Sequence, residues 1–148
     1  MKQTVVFDFD GVIHSYTSGW KGATVIPDPP VPGIKEAIEK IRQLYHVVVV
    51  SSRCSSSEGV TAIMDYLKAN DIVVDDVVME KPPAVVYIDD RAIRFNGDPS
   101  DLLNQIVSFK PWNAAYSAGV ALKEFGRCIK EAFGGTDKEV DDVCDSEH

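Results

Sequence analysis

The 148-residue sequence has little that would place it in a membrane or in a disulfide scaffold. No apolar run approaches the roughly 18–20 residues that a membrane span needs. The chain opens Met-Lys-Gln-Thr and then alternates apolar residues with Asp, which is not the pattern of a signal peptide. Three cysteines, at 54, 128 and 144, form no CxxC pair and no even-numbered framework, so a reducing, cytoplasmic setting is expected. There is no basic excess either. The formal net charge is −8, which argues against a stable nucleic-acid-binding surface. No repeat and no extended low-complexity tract interrupts the chain.

What is present is an ordinary soluble composition, 45% hydrophobic and 26% charged, in a chain of single-domain length. The acidity is uneven. Residues 136–148 carry six acids against one lysine, so the rest of the chain is close to neutral. Residues 1–135 are therefore read as one domain and 136–148 as an acidic, mobile tail. A near-neutral body is compatible with a phosphorylated substrate.

Three apolar runs read as strands: Thr4–Phe9, the four valines 47–50, and 84–88 (AVVYI). Continuous β-branched runs without alternation suit strands buried on both faces, as in a parallel sheet covered by helices. A further short strand is expected within Val73–Met79. Between the runs lie helical patterns. Ile34, Ala37, Ile38, Ile41 and Leu44 share one face after a Pro-Gly start. Ser55 and Glu58 have capping-box spacing and would open a helix to about Ala69, burying Val60, Ile63, Met64 and Leu67. Ser100 would cap a short helix to Ile106. Asn113–Phe133 has the longest helical period and would end at Gly134-Gly135. Strand and helix alternate, which predicts an α/β fold: a Rossmann-like three-layer sandwich with a mainly parallel sheet.

In such sheets the ligand crevice lies at the carboxyl ends of the strands. Asp8 and Asp10 end the first run, Ser51, Ser52 and Arg53 the second, and Asp89 and Asp90 the third. On a continuing strand Asp8 and Asp10 would face one side. Gly11 then lets the chain turn or take a positive φ. Carboxylates aimed at one point repel unless a cation or a shared proton compensates. Four of them at one sheet edge suggest a hard divalent cation, and Mg²⁺ suits oxygen donors. The plainer reading is that these acids cap helices or pair with Arg53, Arg91 and Arg94. Arg53 is open to both, as a substrate contact or as the partner of an acid.

These segments resemble the motifs of the haloacid dehalogenase-like (HAD) phosphohydrolases, in the family's order. D-F-D-G-V resembles the first motif, V-V-V-V-S the second, Lys81 before Pro82 the third and Y-I-D-D the acidic fourth; together they span residues 4–90. The resemblance implies a phosphatase. Asp8 would attack phosphorus and form an aspartyl-phosphate. Asp10 would protonate the leaving oxygen and then activate water. Ser51 would hold a phosphoryl oxygen, and Lys81 would neutralise charge. Mg²⁺ would be bound by Asp8, Asp89 and the backbone carbonyl of Asp10, with Asp90 direct or through water. Ser52, Arg53 and Gly11 complete the substrate-binding candidates. The substrate would be a phosphomonoester, small or macromolecular, a nucleotide or a polynucleotide end among them. The oligomeric state is left open.

One departure from the family is visible. Only Pro82–Ile88 separate Lys81 from Asp89, with no helix between. A full strand there would put Lys81 roughly 20 Å from the active end. A bent segment, a shorter strand, or substitution by Lys21 or Lys110 would each resolve this.

Residues 12–32 have no helical period and read as a turn plus a β-hairpin flap beside an open, capless site. His14, Tyr16, Trp20 and Lys21 would either contact substrate or pack the flap. Phe109, Pro111 and Trp112 would rim the site or pack the last helix, and packing is favoured. Cys54 is expected to be dispensable. Two other classes fit less well. A receiver-type phospho-switch has its acidic pair on the first strand, the reverse of the order here. A non-catalytic phosphate-binding relative would ordinarily have lost a nucleophile or a metal ligand.

Overall fold

The computed structural model describes residues 1–113. The helix expected over 113–133 and the acidic tail at 136–148 lie outside the described residues, apart from Asn113 itself. Eight elements follow in order: β1 (Thr4–Asp8), α1 (Ile34–Leu44), β2 (His46–Val50), a short 3₁₀ helix (Ser52–Ser55), α2 (Ser57–Ala69), β3 (Asp76–Val78), β4 (Val86–Ile88) and α3 (Leu102–Ser108). The four strands form one sheet in the order β3-β2-β1-β4, and every pairing is parallel. This is an α/β fold with a parallel sheet.

The valine-rich strands are buried on both faces, as their lack of alternation requires. Val5 and Phe7 of β1 and Val47 and Val49 of β2 join Ile38 of α1 and Ile63 and Leu67 of α2 in the main core. The intervening Val6, Val48 and Val50 form a second cluster on the opposite face, with Val78 and Ala84 packed against it. Each fully buried Val, Ile or Phe side chain stabilises the fold by roughly 1.5–3 kcal/mol relative to an exposed one.

Helix α1 keeps the bounds that its period predicts. Helix α2 starts one residue later than the capping-box spacing suggests. Ser55 closes the 3₁₀ helix, and the Oγ of Ser56 accepts the backbone N–H of Gly59 as the cap. The capping-box spacing to Glu58 favours Ser55, but the 3₁₀ helix takes Ser55 as its last residue and leaves the cap to Ser56. Met64 is exposed rather than buried, and Gly59 takes a buried place on the core side instead. Ser100 does not cap α3; its N-cap is Asp101, which makes no side-chain capping bond.

The stretch 12–32 forms no hairpin. It is a series of turns tied by two single bridges, Asp10 with His14 and His14 with Pro30. His14 and Tyr16 are buried within it. Among the described residues no helix is long and apolar enough to cross a membrane.

The strand order places the site. From β1 the chain moves to β2 and β3 on one side, and β4 then returns to the other side of β1. The order therefore reverses between β1 and β4. In parallel sheets the crevice for a ligand opens at such a switch point, beyond the carboxyl ends of the strands. Asp8 ends β1, and Asp89 and Asp90 directly follow β4.

Candidate active site

One oxygen each from Asp8, Asp89 and Asp90 lie within 4.8 Å of one another, all three residues being half-buried. This follows from the register, in which Phe7 pairs with Ile88 and so brings the two strand ends level. Burial and the neighbouring Asp89 push the Asp8 carboxyl up to about 7, with Asp90 and Asp10 adding to the effect. Asp90 is likewise raised, first by burial. Both of its side-chain oxygens are buried without a hydrogen-bond partner. Buried acceptors in that state are costly unless a donor or a cation meets them. An all-oxygen donor set at this spacing fits a hard divalent cation such as Mg²⁺.

Gly11 is required beside this cluster for two reasons. Its φ is +85°, and a Cβ there would stand 2.1 Å from Oδ2 of Asp90. The turn expected of Gly11 is present, and the close approach adds a second constraint.

Ser51 follows β2 and is buried; its Oγ accepts the backbone N–H of Arg53 at 3.2 Å. A hydroxyl that accepts one bond keeps its own O–H to donate. Ser51 and Ser52 line a cleft of about 440 Å³ together with Asp8, Val50, Ser55, Met79 and Lys81. A second cleft, of about 240 Å³, lies against Asp89, Asp90, Gly11 and Trp112. Trp112 donates from Nε1 to the carbonyl of Gly11 at 2.7 Å, so it rims the site.

Lys81 reaches the active end. Its Nζ lies 3.2 Å from Oδ2 of Asp89. Two of the three resolutions left open by the sequence operate together. Strand β4 has only three residues, and Lys81 sits three positions past the carboxyl end of β3. The segment that follows crosses the sheet, with Ala84 packing on Val6, Val48 and Val50. Lys21 and Lys110 are exposed and make no ion pair with the described residues.

Asp10 departs from the expected arrangement. Strand β1 stops at Asp8, and after the turn over residues 9–14 the Asp10 carboxylate is not one of the three that cluster. Its Oδ2 accepts Nε of Arg53 at 2.8 Å, and its Oδ1 accepts Nη2 of Arg53 at 3.1 Å. Nδ1 of His14 lies 2.8 Å from Oδ1. Burial alone would raise this carboxyl, but the bonds to His14 and Arg53 hold it below the usual carboxylate range. As a metal ligand, Asp10 is thus left with its backbone carbonyl.

Arg53 is not a substrate contact in this structure. It is fully buried, and Nη1 donates to the carbonyls of Gly22, Ala23 and Val25 at 2.7, 3.0 and 3.1 Å. Trp20 stacks on the guanidinium, with its ring centroid 4.6 Å from Cζ. Of the two readings open to Arg53, pairing with an acid holds. No arginine side chain makes a salt bridge to Asp8, Asp89 or Asp90 among the described residues. Cys54 is half-buried with its thiol raised by burial, the opposite of an activated thiolate.

Two features escape sequence reasoning. Gly59 allows α2 to meet the 3₁₀ turn, since a Cβ on it would lie 1.8 Å from the carbonyl oxygen of Arg53. Its signal, a glycine in the first turn of a helix, is weak. The second is a buried chain of bonds from Tyr66 through Asp28 and His14 to Asp10. Only the four-residue step from Asp10 to His14 is local.

Compared with protein-family models, with curated proteins and with solved structures, the chain matches none of them.

Proposed function

We propose that this protein is an Mg²⁺-dependent phosphohydrolase of the HAD-like, Rossmann type that cleaves a phosphomonoester through an aspartyl-phosphate on Asp8. The observation that carries the reading is the convergence of Asp8, Asp89 and Asp90 at the β1/β4 switch point, beside a cleft holding Ser51 and Lys81. Phosphoryl transfer is chiefly positioning plus charge stabilisation, and these residue types supply both.

Asp8, Asp89, Asp90 and the Asp10 carbonyl would hold the cation, which supplies charge neutralisation at the phosphoryl oxygens and the nucleophile. The chain's own residues do the rest. An oxygen of Asp8 attacks phosphorus as the bond to the leaving oxygen breaks. Ser51 donates to one phosphoryl oxygen from the floor of the cleft. Lys81, half exposed beside Asp89, balances the charge that gathers there. Asp10 serves the leaving oxygen and then the attacking water. Its two roles need opposite protonation states, and the dianionic phosphoryl group raises its proton affinity on arrival. Water then attacks the phosphorus of the aspartyl-phosphate, releasing phosphate and regenerating Asp8.

The clefts are open at the surface, which suits a phosphate presented on a small molecule or at the end of a larger one. The test is hydrolysis of p-nitrophenyl phosphate by native protein and Asp8→Asn, with Mg²⁺ and with EDTA. Turnover is expected in native protein with Mg²⁺ only. Turnover that survives both chelation and the substitution would overturn the proposal.

A further inference from the structure

Asp10 has two oxygens and three buried donors. Arg53 bonds both oxygens through Nε and Nη2, and His14 bonds Oδ1 through Nδ1. His14 is completely buried. Its other nitrogen, Nε2, accepts the backbone N–H of Asp28 at 3.1 Å. A ring nitrogen that accepts cannot carry a proton, so the imidazole is neutral and Nδ1–H donates to Asp10. Asp28 is fixed in turn. The hydroxyl of Tyr66, on α2, donates to its carbonyl at 3.0 Å, and its carboxylate accepts the Ser18 N–H at 2.8 Å and the Ser18 hydroxyl at 2.6 Å. The His14 ring is also caged by Phe9, Tyr16 and Tyr66, with centroids 5.6–5.8 Å away.

We infer that His14 is a positioning residue for Asp10: with Arg53 it fixes the carboxylate that serves the leaving group, and the segment 12–32 is the scaffold that holds both. The inference rests on the proposed role of Asp10. The segment is then a support for the acid–base group, and His14 packs within it without contacting substrate. Arg53 binds the segment through three carbonyls on one side and Asp10 on the other. Both holders follow Asp10 in the chain, His14 four residues on and Arg53 in the 3₁₀ turn after β2. A carboxylate held on both oxygens by buried groups cannot change rotamer without breaking that cage.

A positioning role separates from a merely structural one by its dependence on the leaving group. Nitrophenolate departs without a proton, whereas phenolate, with a pKa near that of Tyr at about 10, benefits from one. General acid assistance contributes about 10²–10⁴-fold where it operates. Values of kcat/KM are to be measured for p-nitrophenyl phosphate and phenyl phosphate with native protein, His14→Phe, His14→Asn and His14→Gln. In His14→Phe the value for phenyl phosphate is expected to fall about 30-fold or more, and that for p-nitrophenyl phosphate by less than about threefold. His14→Asn places an amide donor at the Nδ1 position and should restore most of the loss, while His14→Gln should not. If His14→Phe fails to fold, the Asn and Gln pair carries the comparison. Equal losses on both substrates, or no loss on either, overturn the inference. Native protein that turns over neither substrate removes the proposed function and this inference with it. Imidazole ¹⁵N spectra of native protein give a readout independent of turnover: His14 is expected neutral and protonated on Nδ1, and protonation on Nε2 contradicts the assignment.

Discussion

Lys81 and Asp89 are ion-paired at 3.2 Å, although the whole of β4 lies between them in the chain. The pair exists because Lys81 belongs to the end of β3 and Asp89 to the end of β4, and parallel strands bring like ends together. The segment between runs back across the sheet and re-enters at Val85, whose N–H donates to the carbonyl of Thr4.

This placement predicts that Lys81→Met lowers turnover without touching the fold. One charge-stabilising donor is commonly worth about 10²–10³ in kcat. The lysine end of the pair is exposed, and pairs with an exposed partner contribute little to stability. The expected result is a loss of that order in steady-state kinetics with an unchanged thermal transition. A variant with near-native kcat would show that Lys81 does not face the phosphoryl group.

Gly59→Ala gives a second prediction, with a sign opposite to helix propensity. In an exposed helix Ala is favoured over Gly by about 1 kcal/mol. Here the added Cβ would lie 1.8 Å from the Arg53 carbonyl oxygen and 2.8 Å from its carbon. Both atoms are backbone, so the 3₁₀ turn carrying Ser52 and Arg53 must move. Gly59→Ala should therefore lower the melting temperature and reduce activity together, as read by thermal denaturation and by turnover of p-nitrophenyl phosphate. A stabilised and fully active variant would contradict the packing of α2 on that turn.

The raised Asp8 carboxyl predicts a pH dependence of stability in the absence of divalent cation. Its value rises from 3.8 to about 7 on folding. Between these values the folded state keeps a proton that the unfolded state has lost. The contribution is complete below about pH 4 and is lost as pH rises through about 7. Asp8→Asn has nothing to titrate, so in EDTA it should match native protein near pH 4 and exceed it near pH 8, by roughly 1–3 kcal/mol. Mg²⁺ should stabilise native protein most at the higher pH. Thermal scans at the two pH values, with and without Mg²⁺, check this. A constant difference between the two proteins would remove the repulsion among the three carboxylates from the account.

The parallel sheet and the two principal helices were legible because their signals are periodic or continuous. The valines of β2 and the spacing from Ile34 to Leu44 leave few alternatives. The triad was legible in part, since Asp8, Asp89 and Asp90 stand at strand ends in the sequence itself. The direction of residues 79–85 was not. A short apolar run such as 84–88 has the same composition whether it is a full strand or a crossing segment that ends in three paired residues. The fate of Asp10 was hidden for a different reason. It depends on where β1 stops and on Arg53, Asp28 and Tyr66, which lie 43, 18 and 56 positions away and are brought to it through irregular turns that leave no periodic mark. The hairpin expected over 12–32 failed on the same ground. Polar side chains and backbone bonds to His14 hold those turns, and cross-strand pairing does not.

The proposed chemistry is tested most closely by a search for the phosphoryl group on Asp8. Native protein would be mixed with Mg²⁺ and p-nitrophenyl phosphate, quenched during turnover and reduced with borohydride, which converts an aspartyl-phosphate to homoserine. Peptide mass spectrometry then reads position 8. Homoserine is expected at position 8, dependent on Mg²⁺ and absent when substrate is withheld. Turnover under the same conditions with Asp8 unmodified, or with the modification at another carboxylate, would contradict it.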